Sequence, residues 1–258
     1  MNKYKFRVAA LFLICISASV HAAGAGRFES SIAGAQVSGS YKGGQSFATS
    51  LLFNLEGKDK LGVSYQALNA WGESASYMNL RYVSYLSQDV WVDTNFGGSD
   101  KGSITARVRG SAMINRGFTD KGLIFAVGPE RYTMRSGAGS SAVRTMAVRY
   151  LKDYPVALQL NTSLARSDMN HRFGGQAGVA VQYGYEDTWI VAGGGSYGRV
   201  HYESVAQPGT VADYRSVSYF VSGRYRAGDA WGLTTRYSGV TNHHYTRNEV
   251  AFGVFVDF

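Results

Sequence analysis

Two sets of residues in this 258-residue chain have side chains suited to chemistry: a few histidines with a serine, and a larger set of arginines among carboxylates and amides. His243-His244, with His201 and His171, could gather near one rim. A His beside a Ser is the minimum for nucleophilic hydrolysis, and several His could hold a metal. Gly194-x-Ser196-x-Gly198 matches a nucleophile elbow, which requires a strand–turn–helix context. Here Arg199-Val200-His201-Tyr202 continues a strand, so the match reads as a glycine-rich strand. Gly137-x-Gly139-x-x-Ala142 matches a dinucleotide fingerprint but precedes a strand-like segment, so it reads as a loop. The histidine pair has no carboxylate in a fixed frame and reads as loop histidine. Asn161-Thr162-Ser163 fits a sequon that carries no weight on a bacterial barrel strand. These residues predict no catalytic centre, no cofactor and no metal site.

The arginine set is more informative, because it is phased. Arg107, Arg109, Arg149, Arg224, Arg226 and Arg236 fall on the polar phase of alternating segments. With them go Glu56, Arg81, Asp93, Gln159, Asn161, Gln182, Glu249 and Asp257. The apolar phase is equally regular: Phe47, Thr49, Leu51, Phe53, Leu55; Val156, Leu158, Leu160, Thr162, Leu164; Val217, Tyr219, Val221, Gly223, Tyr225. A period of two means a strand with one apolar face. Fourteen such segments are predicted, at about 28–40, 46–56, 60–68, 76–86, 90–97, 103–114, 121–133, 142–151, 155–166, 174–185, 188–202, 214–226, 230–241 and 247–258. The first and eleventh carry Gly-rich stretches (Ala33-Gly34-Ala35, Gly193-Gly194-Gly195) that weaken a strand or mark a bulge, so twelve strands is the alternative. Short turn signals (Gly57-Lys58-Asp59, Ser87-Gln88-Asp89, Lys152 to Pro155, Glu186-Asp187, Ala227 to Asp229) tend to alternate with looser ones (Asn69 to Ser74, Ser136 to Ser141, Ser167 to Phe173, Ser204 to Asp213, Asn242 to Thr246).

Alternation alone also describes a soluble β-sandwich. Three features favour a transmembrane antiparallel up-and-down β-barrel. Aromatic residues sit near segment ends, among them Tyr41, Trp71, Tyr77, Trp91, Trp189, Tyr225 and Trp231, as interfacial girdles require. Lys lies in or beside turns, whereas Arg sits within strands; a cation facing lipid at mid-depth would cost about 2–4 kcal/mol, so these Arg should line a lumen. The final strand carries Val250, Phe252, Val254, Val256 and Phe258 at every second position. Hydrocarbon leaves an open sheet edge unsatisfied, so the barrel must close. Fourteen strands about 4.8 Å apart and tilted about 40° give a diameter of about 28 Å, and twelve about 24 Å.

Residues 1–22 read as a secretory leader: Lys3, Lys5 and Arg7, then the apolar run Val8 to Ile16, then Val20-His21-Ala22. Residues 23–258 form the barrel. A lipoprotein signal at Cys15 is the rival, disfavoured by bulky Ile14. Cys15 is the single Cys, so the mature chain forms no disulfide and no Cys-based metal site. Removing the leader's three basic residues leaves 23 against 18 acidic, a net +5 without a basic run, which excludes a nucleic-acid binder. Charged residues are only 17% and Gly is 32 of 258, unlike a helical or disordered chain.

The C-terminal strand ending in Phe258 resembles the signal that the barrel-assembly machinery of the bacterial outer membrane reads. With Ser31-Ile32-Ala33-Gly34-Ala35 and Gly195-Ser196-Tyr197-Gly198, the chain resembles the YaiO-type outer-membrane barrel family. That resemblance implies outer-membrane localisation, export through the periplasm, contact with outer-membrane lipid and an association with exopolysaccharide systems, with any periplasmic export partner a separate protein. The residue pattern predicts a channel for a polar or anionic solute. A structural or receptor barrel with a plugged lumen and an outer-membrane lipid hydrolase stay open as alternatives.

Overall fold

The computed structural model describes residues 26–258 except 39–42, 57, 71, 102–104, 135–136, 138, 169–170 and 204–210. The leader, with Cys15 and the cleavage point, and the girdle positions expected at Tyr41 and Trp71 lie outside the described residues. Fourteen strands follow one another: β1 (Gly26–Val37), β2 (Gly44–Asn54), β3 (Lys60–Ala70), β4 (Glu73–Tyr85), β5 (Val90–Ser99), β6 (Val108–Phe118), β7 (Leu123–Thr133), β8 (Gly139–Leu151), β9 (Val156–Ser167), β10 (Phe173–Tyr185), β11 (Trp189–Glu203), β12 (Val211–Arg226), β13 (Trp231–Asn242) and β14 (Thr246–Asp257). Each pairs antiparallel with its sequence neighbours, and β1 pairs with β14 from Arg27↔Asp257 to Val37↔Arg247, closing the barrel. Closure removes the free edges that an open sheet would leave unpaired. The glycine-rich β1 and β11 are continuous strands, so the count is fourteen rather than twelve.

The termini meet at one end, which we call the terminal end. Gly26 and Phe258 exchange N–H···O bonds of 2.8 and 3.0 Å there, and the Phe258 ring packs edge-on against Phe53. The outer face carries a band of exposed apolar side chains, including Ile32, Leu80, Phe96, Leu160, Val181 and Phe252. Val250 and Val254 share this face, while Phe258 is buried. Outward aromatics Tyr183, Tyr185, Trp189, Tyr225 and Trp231 ring part of the terminal end. Tyr77 and Trp91 are not in that girdle: register places them on the inner face, where Trp91 stacks on Tyr85 at 5.7 Å.

Several strand boundaries shift by two or three residues, and two regions differ more from the sequence reading. The sixth strand runs Val108–Phe118 instead of 103–114. Polar residues do not end it, because Asn115 points inward and donates to the Met113 carbonyl at 3.0 Å, while Arg116 stacks on Phe118 at 5.0 Å near the strand end. The loose loop expected over Asn69 to Ser74 is a two-residue link, with β3 ending at Ala70 and β4 starting at Glu73. Their pairing continues to Ala70↔Glu73, so the ladder itself draws the chain tight.

Candidate functional site: the lumen wall

The inner face follows from register. On β4 to β8 the inward positions are the partners of Arg81, Asn95, Ser111, Glu130 and Ala142 in successive ladders. Arg81 grips Asp93 with guanidinium–carboxylate bonds of 2.6 to 3.2 Å. Further along the wall, Arg109 and Arg144 both bond Glu130, each at 2.9 Å. Here exposure decides the electrostatics. Glu130 is recessed at 11% side-chain exposure, whereas Arg109 and Arg144 are 51% and 47% exposed to the interior. The anion is held against the wall and the cations face the lumen. At this exposure each pair contributes only about 0–1 kcal/mol to stability.

A second charged cluster lies on the opposite wall, toward the terminal end. Arg27 and Arg226 share Asp257, and Arg224 reaches Glu29 on β1, three strands away. The three guanidiniums surround the Phe255 ring, at 5.0, 4.8 and 5.6 Å from its centroid for Arg27, Arg224 and Arg226. Phe255 is 1% exposed. Its faces are therefore occupied by cations, each worth about 0.5–2 kcal/mol. Arg247 bonds Glu249, and Arg236 lies 4.6 Å over the Phe220 ring.

Between the two walls is a cavity of about 600 Å³. It reaches from Glu29 on β1 and Thr234 on β13 to Arg109 on β6 and Arg144 on β8, with Gln66 and Asn79 along its side. That volume lies within the usual range for small-molecule sites. The wall of β9 to β11 has a different chemistry. Gln159 donates to Asn161 at 2.7 Å, and Gln176 donates to Ser196, which contacts Ser218 at 2.5 Å.

The sequence-predicted residues divide as follows. Arg81, Asp93, Arg109, Arg224, Arg226, Arg236 and Glu249 sit on inward positions of the ladders. Arg107 precedes β6 at the end away from the termini; its backbone N–H donates to Thr133. Glu56 lies past the end of β2, off the wall. Arg149 corrects the reading: it pairs laterally with Leu123 and Leu158 on the outer face. Arg144 and Arg149 are five residues apart, and a period-two strand cannot turn both inward. Arg149 sits near the terminal end of β8, where its guanidinium donates to the Lys121 carbonyl, so the charge is met by backbone at the edge of the apolar band. Sequence reasoning missed Arg27, Glu29, Glu130, Arg144, Arg247 and Phe255. The parity rule applied to β8 would have found Arg144.

Among the described residues the hydrolase candidates Ser196, His171, His243 and His244 are not gathered into one site; the side chain of His201 lies outside the described residues. Ser196 lies within β11 with no following helix, bonded to Gln176 and Ser218. The His243 and His244 rings contact each other edge-on at 5.2 Å in the β13–β14 link. His171 occupies the β9–β10 loop at φ 53°. Among the described residues no three His, Cys, Asp or Glu gather as a metal site.

No protein-family model matches the chain, and no curated protein matches it in sequence. Solved structures do match in shape. A bacterial polysaccharide outer membrane secretin superposes with a TM-score of 0.61 at 8% identity, over 92% of this chain and 99% of that one. The CymD monoaromatic hydrocarbon channel gives 0.57 at 9% identity, over 90% and 88%. Omp33 of Acinetobacter baumannii gives 0.52 at 13% identity, over 91% and 100%. At these identities the likeness is one of fold: this chain has the fold of bacterial outer-membrane β-barrels.

Proposed function

We propose that the protein is an outer-membrane channel for a polar, anionic solute, and the outer-membrane component of an exopolysaccharide export system. One observation carries the reading. Arg109 and Arg144 face a 600 Å³ central cavity while the single carboxylate they share is recessed behind them. A lumen lined this way favours anions, since fixed cations stand in water and their counter-charge does not. Amides and hydroxyls on β9 to β11 supply neutral hydrogen-bonding partners for sugar hydroxyls. Barrels of similar shape include a polysaccharide secretin and a hydrocarbon channel, so the shape accommodates passage. The outward apolar band supports membrane insertion, and the YaiO-type resemblance supports the exopolysaccharide assignment. In this reading the barrel-assembly machinery recognises Val250, Phe252, Val254, Val256 and Phe258, a separate periplasmic protein supplies the polymer, and no covalent chemistry is performed.

A plugged structural or receptor barrel is the second reading, favoured by the cluster of Phe255, Arg27, Arg224 and Arg226 at the terminal end. Planar-bilayer recording separates the two. Steady conductance with anion preference is the expected result. Correctly folded protein that shows no conductance would remove the channel reading.

A further inference from the structure

We propose that the lumen mouth at the terminal end is a stacking site for an uncharged pyranose unit of a polysaccharide chain, formed by Trp91 and Tyr85 beneath the Arg81–Asp93 pair. The proposal rests on the export reading above and deepens it, adding a station for neutral sugar units to the cationic one at Arg109 and Arg144. Inner positions at this mouth differ from those above them. Tyr85 ends β4, Trp91 is the second residue of β5, Gly117 is next to last on β6, Ile124 is second on β7 and Tyr150 is next to last on β8. Register turns them all inward: Tyr85 pairs with Trp91, Trp91 with Asn115, Gly117 with Ile124, and Ile124 with Val148, whose parity Tyr150 shares. Together they make an apolar collar from β4 to β8, whereas the wall above it carries Arg81, Asp93 and Asn95. An apolar patch rimmed by polar residues is the usual mark of a binding groove.

The collar's centre is aromatic. Trp91 and Tyr85 stack with centroids 5.7 Å apart and planes inclined by 24°. That separation is an offset stack, so the phenol covers only part of the half-buried indole. On the side toward β6 the wall has no side chain, because a Cβ at Gly117 would already stand 3.6 Å from Trp91 Cζ3. A pyranose with equatorial hydroxyls presents axial C–H bonds on its faces, and the negative face of an indole attracts them. Its rim hydroxyls then need donors and acceptors. Asp93, two residues from Trp91 on the same face, accepts, and Arg81, 47% exposed, donates. Bonds of 2.6 to 3.2 Å let these two neutralise each other, so the station suits an uncharged unit. Asn95 donates to Asp93 at 3.1 Å, Asn79 donates to Asn95 at 3.4 Å, and both amides line the central cavity. The four residues from Trp91 to Asn95, at about 3.3 Å each and tilted about 40°, rise about 10 Å. The collar therefore leads through amides into the cavity, where Arg109 and Arg144 receive acidic units.

The test is saturation-transfer NMR on the full mature barrel in micelles of a detergent without a sugar headgroup, which reads binding without current. Its probes are a β-1,4-linked glucose hexamer, whose hydroxyls and linkages are equatorial, and sorbitol, which has hydroxyls but no ring face. The hexamer should receive saturation, most strongly at its axial ring protons, and sorbitol should not. Trp91→Ala should weaken hexamer binding about tenfold, and Trp91→Tyr should recover most of the loss. Trp189→Ala, on the outer face, should bind as the parent does. Equal saturation of sorbitol would overturn the proposal. So would unaltered binding in Trp91→Ala, or an equal loss in Trp189→Ala. If Trp91→Ala fails to fold, Gly117→Leu crowds the indole without removing it and should show the same loss; unaltered binding there would also overturn the site. The channel reading fails separately: a folded barrel that binds the hexamer and carries no current would remove the channel and leave the stacking site standing.

Discussion

Within the arc of lumen wall from β4 to β11, two halves are built by opposite means. From β4 to β8 the inward positions carry long charged side chains braced by carboxylates, as in Arg81–Asp93 and Arg109–Glu130–Arg144. From β9 to β11 they carry amides, hydroxyls and glycines, and the wall is smooth. At Gly198 a Cβ would collide with the backbone of Gly175 and Gln176. In the channel reading proposed above, the first half would contribute charge to the lumen and the second would contribute free width. If the barrel conducts, selectivity and passage should be separable, because charge and width belong to different strands.

The largest effect should come from reversing the first half. Arg109→Glu/Arg144→Glu should turn anion preference into cation preference, a change of tenfold or more in the permeability ratio read from reversal potentials under a salt gradient. Retained anion preference would place the selectivity elsewhere. Next, Gly198→Val should lower stability by about 1–3 kcal/mol through overpacking, seen as a reduced urea midpoint of the folded, heat-modifiable band, with ion preference unchanged. A Gln176→Glu variant tests the smooth half for field effects. It should shift the permeability ratio by no more than two- to threefold, and a larger shift would erase the distinction between the halves.

Asp59 offers a smaller effect outside the strands. Its carboxylate accepts the Tyr85 backbone N–H at 2.8 Å and the Tyr82 and Ser84 hydroxyls at 2.7 and 3.2 Å. These bonds, the backbone one foremost, hold its pKa below the usual carboxylate value. A lowered folded pKa contributes stability that is present above the unfolded value and is lost as pH falls through the folded one. The stability gap between parent and Asp59→Asn should therefore shrink as pH drops below about 4. The smallest expected effect is none: Arg149→Gln, on the outer face, should leave ion selectivity where it is.

Much of this was readable in the chain. Alternation along Val156 to Leu164 or Trp231 to Tyr237 names a strand and its apolar side, because each side chain's face depends only on its own position. The same rule carried Arg81, Arg109, Arg224, Arg226 and Arg236 to the interior; its neglect over the odd spacing of Arg144 and Arg149 reversed Arg149, and the girdle reading reversed Tyr77 and Trp91, which register turns inward. The smooth half was harder to see, since Gly193-Gly194-Gly195 weakens a strand in isolation and is ordered here by ladders on both sides.

The sequence by itself determined that these segments are strands, that one face of each is apolar and that most of the arginines look the other way. All of that is local, fixed by a two-residue repeat. The tertiary structure decided which charges meet: Arg224 with Glu29, 195 residues apart, Arg109 and Arg144 on one carboxylate, and three guanidiniums around Phe255. Those encounters depend on lateral register and on the curvature that brings β1 against β14, and neither is written in the spacing of residues along a single strand.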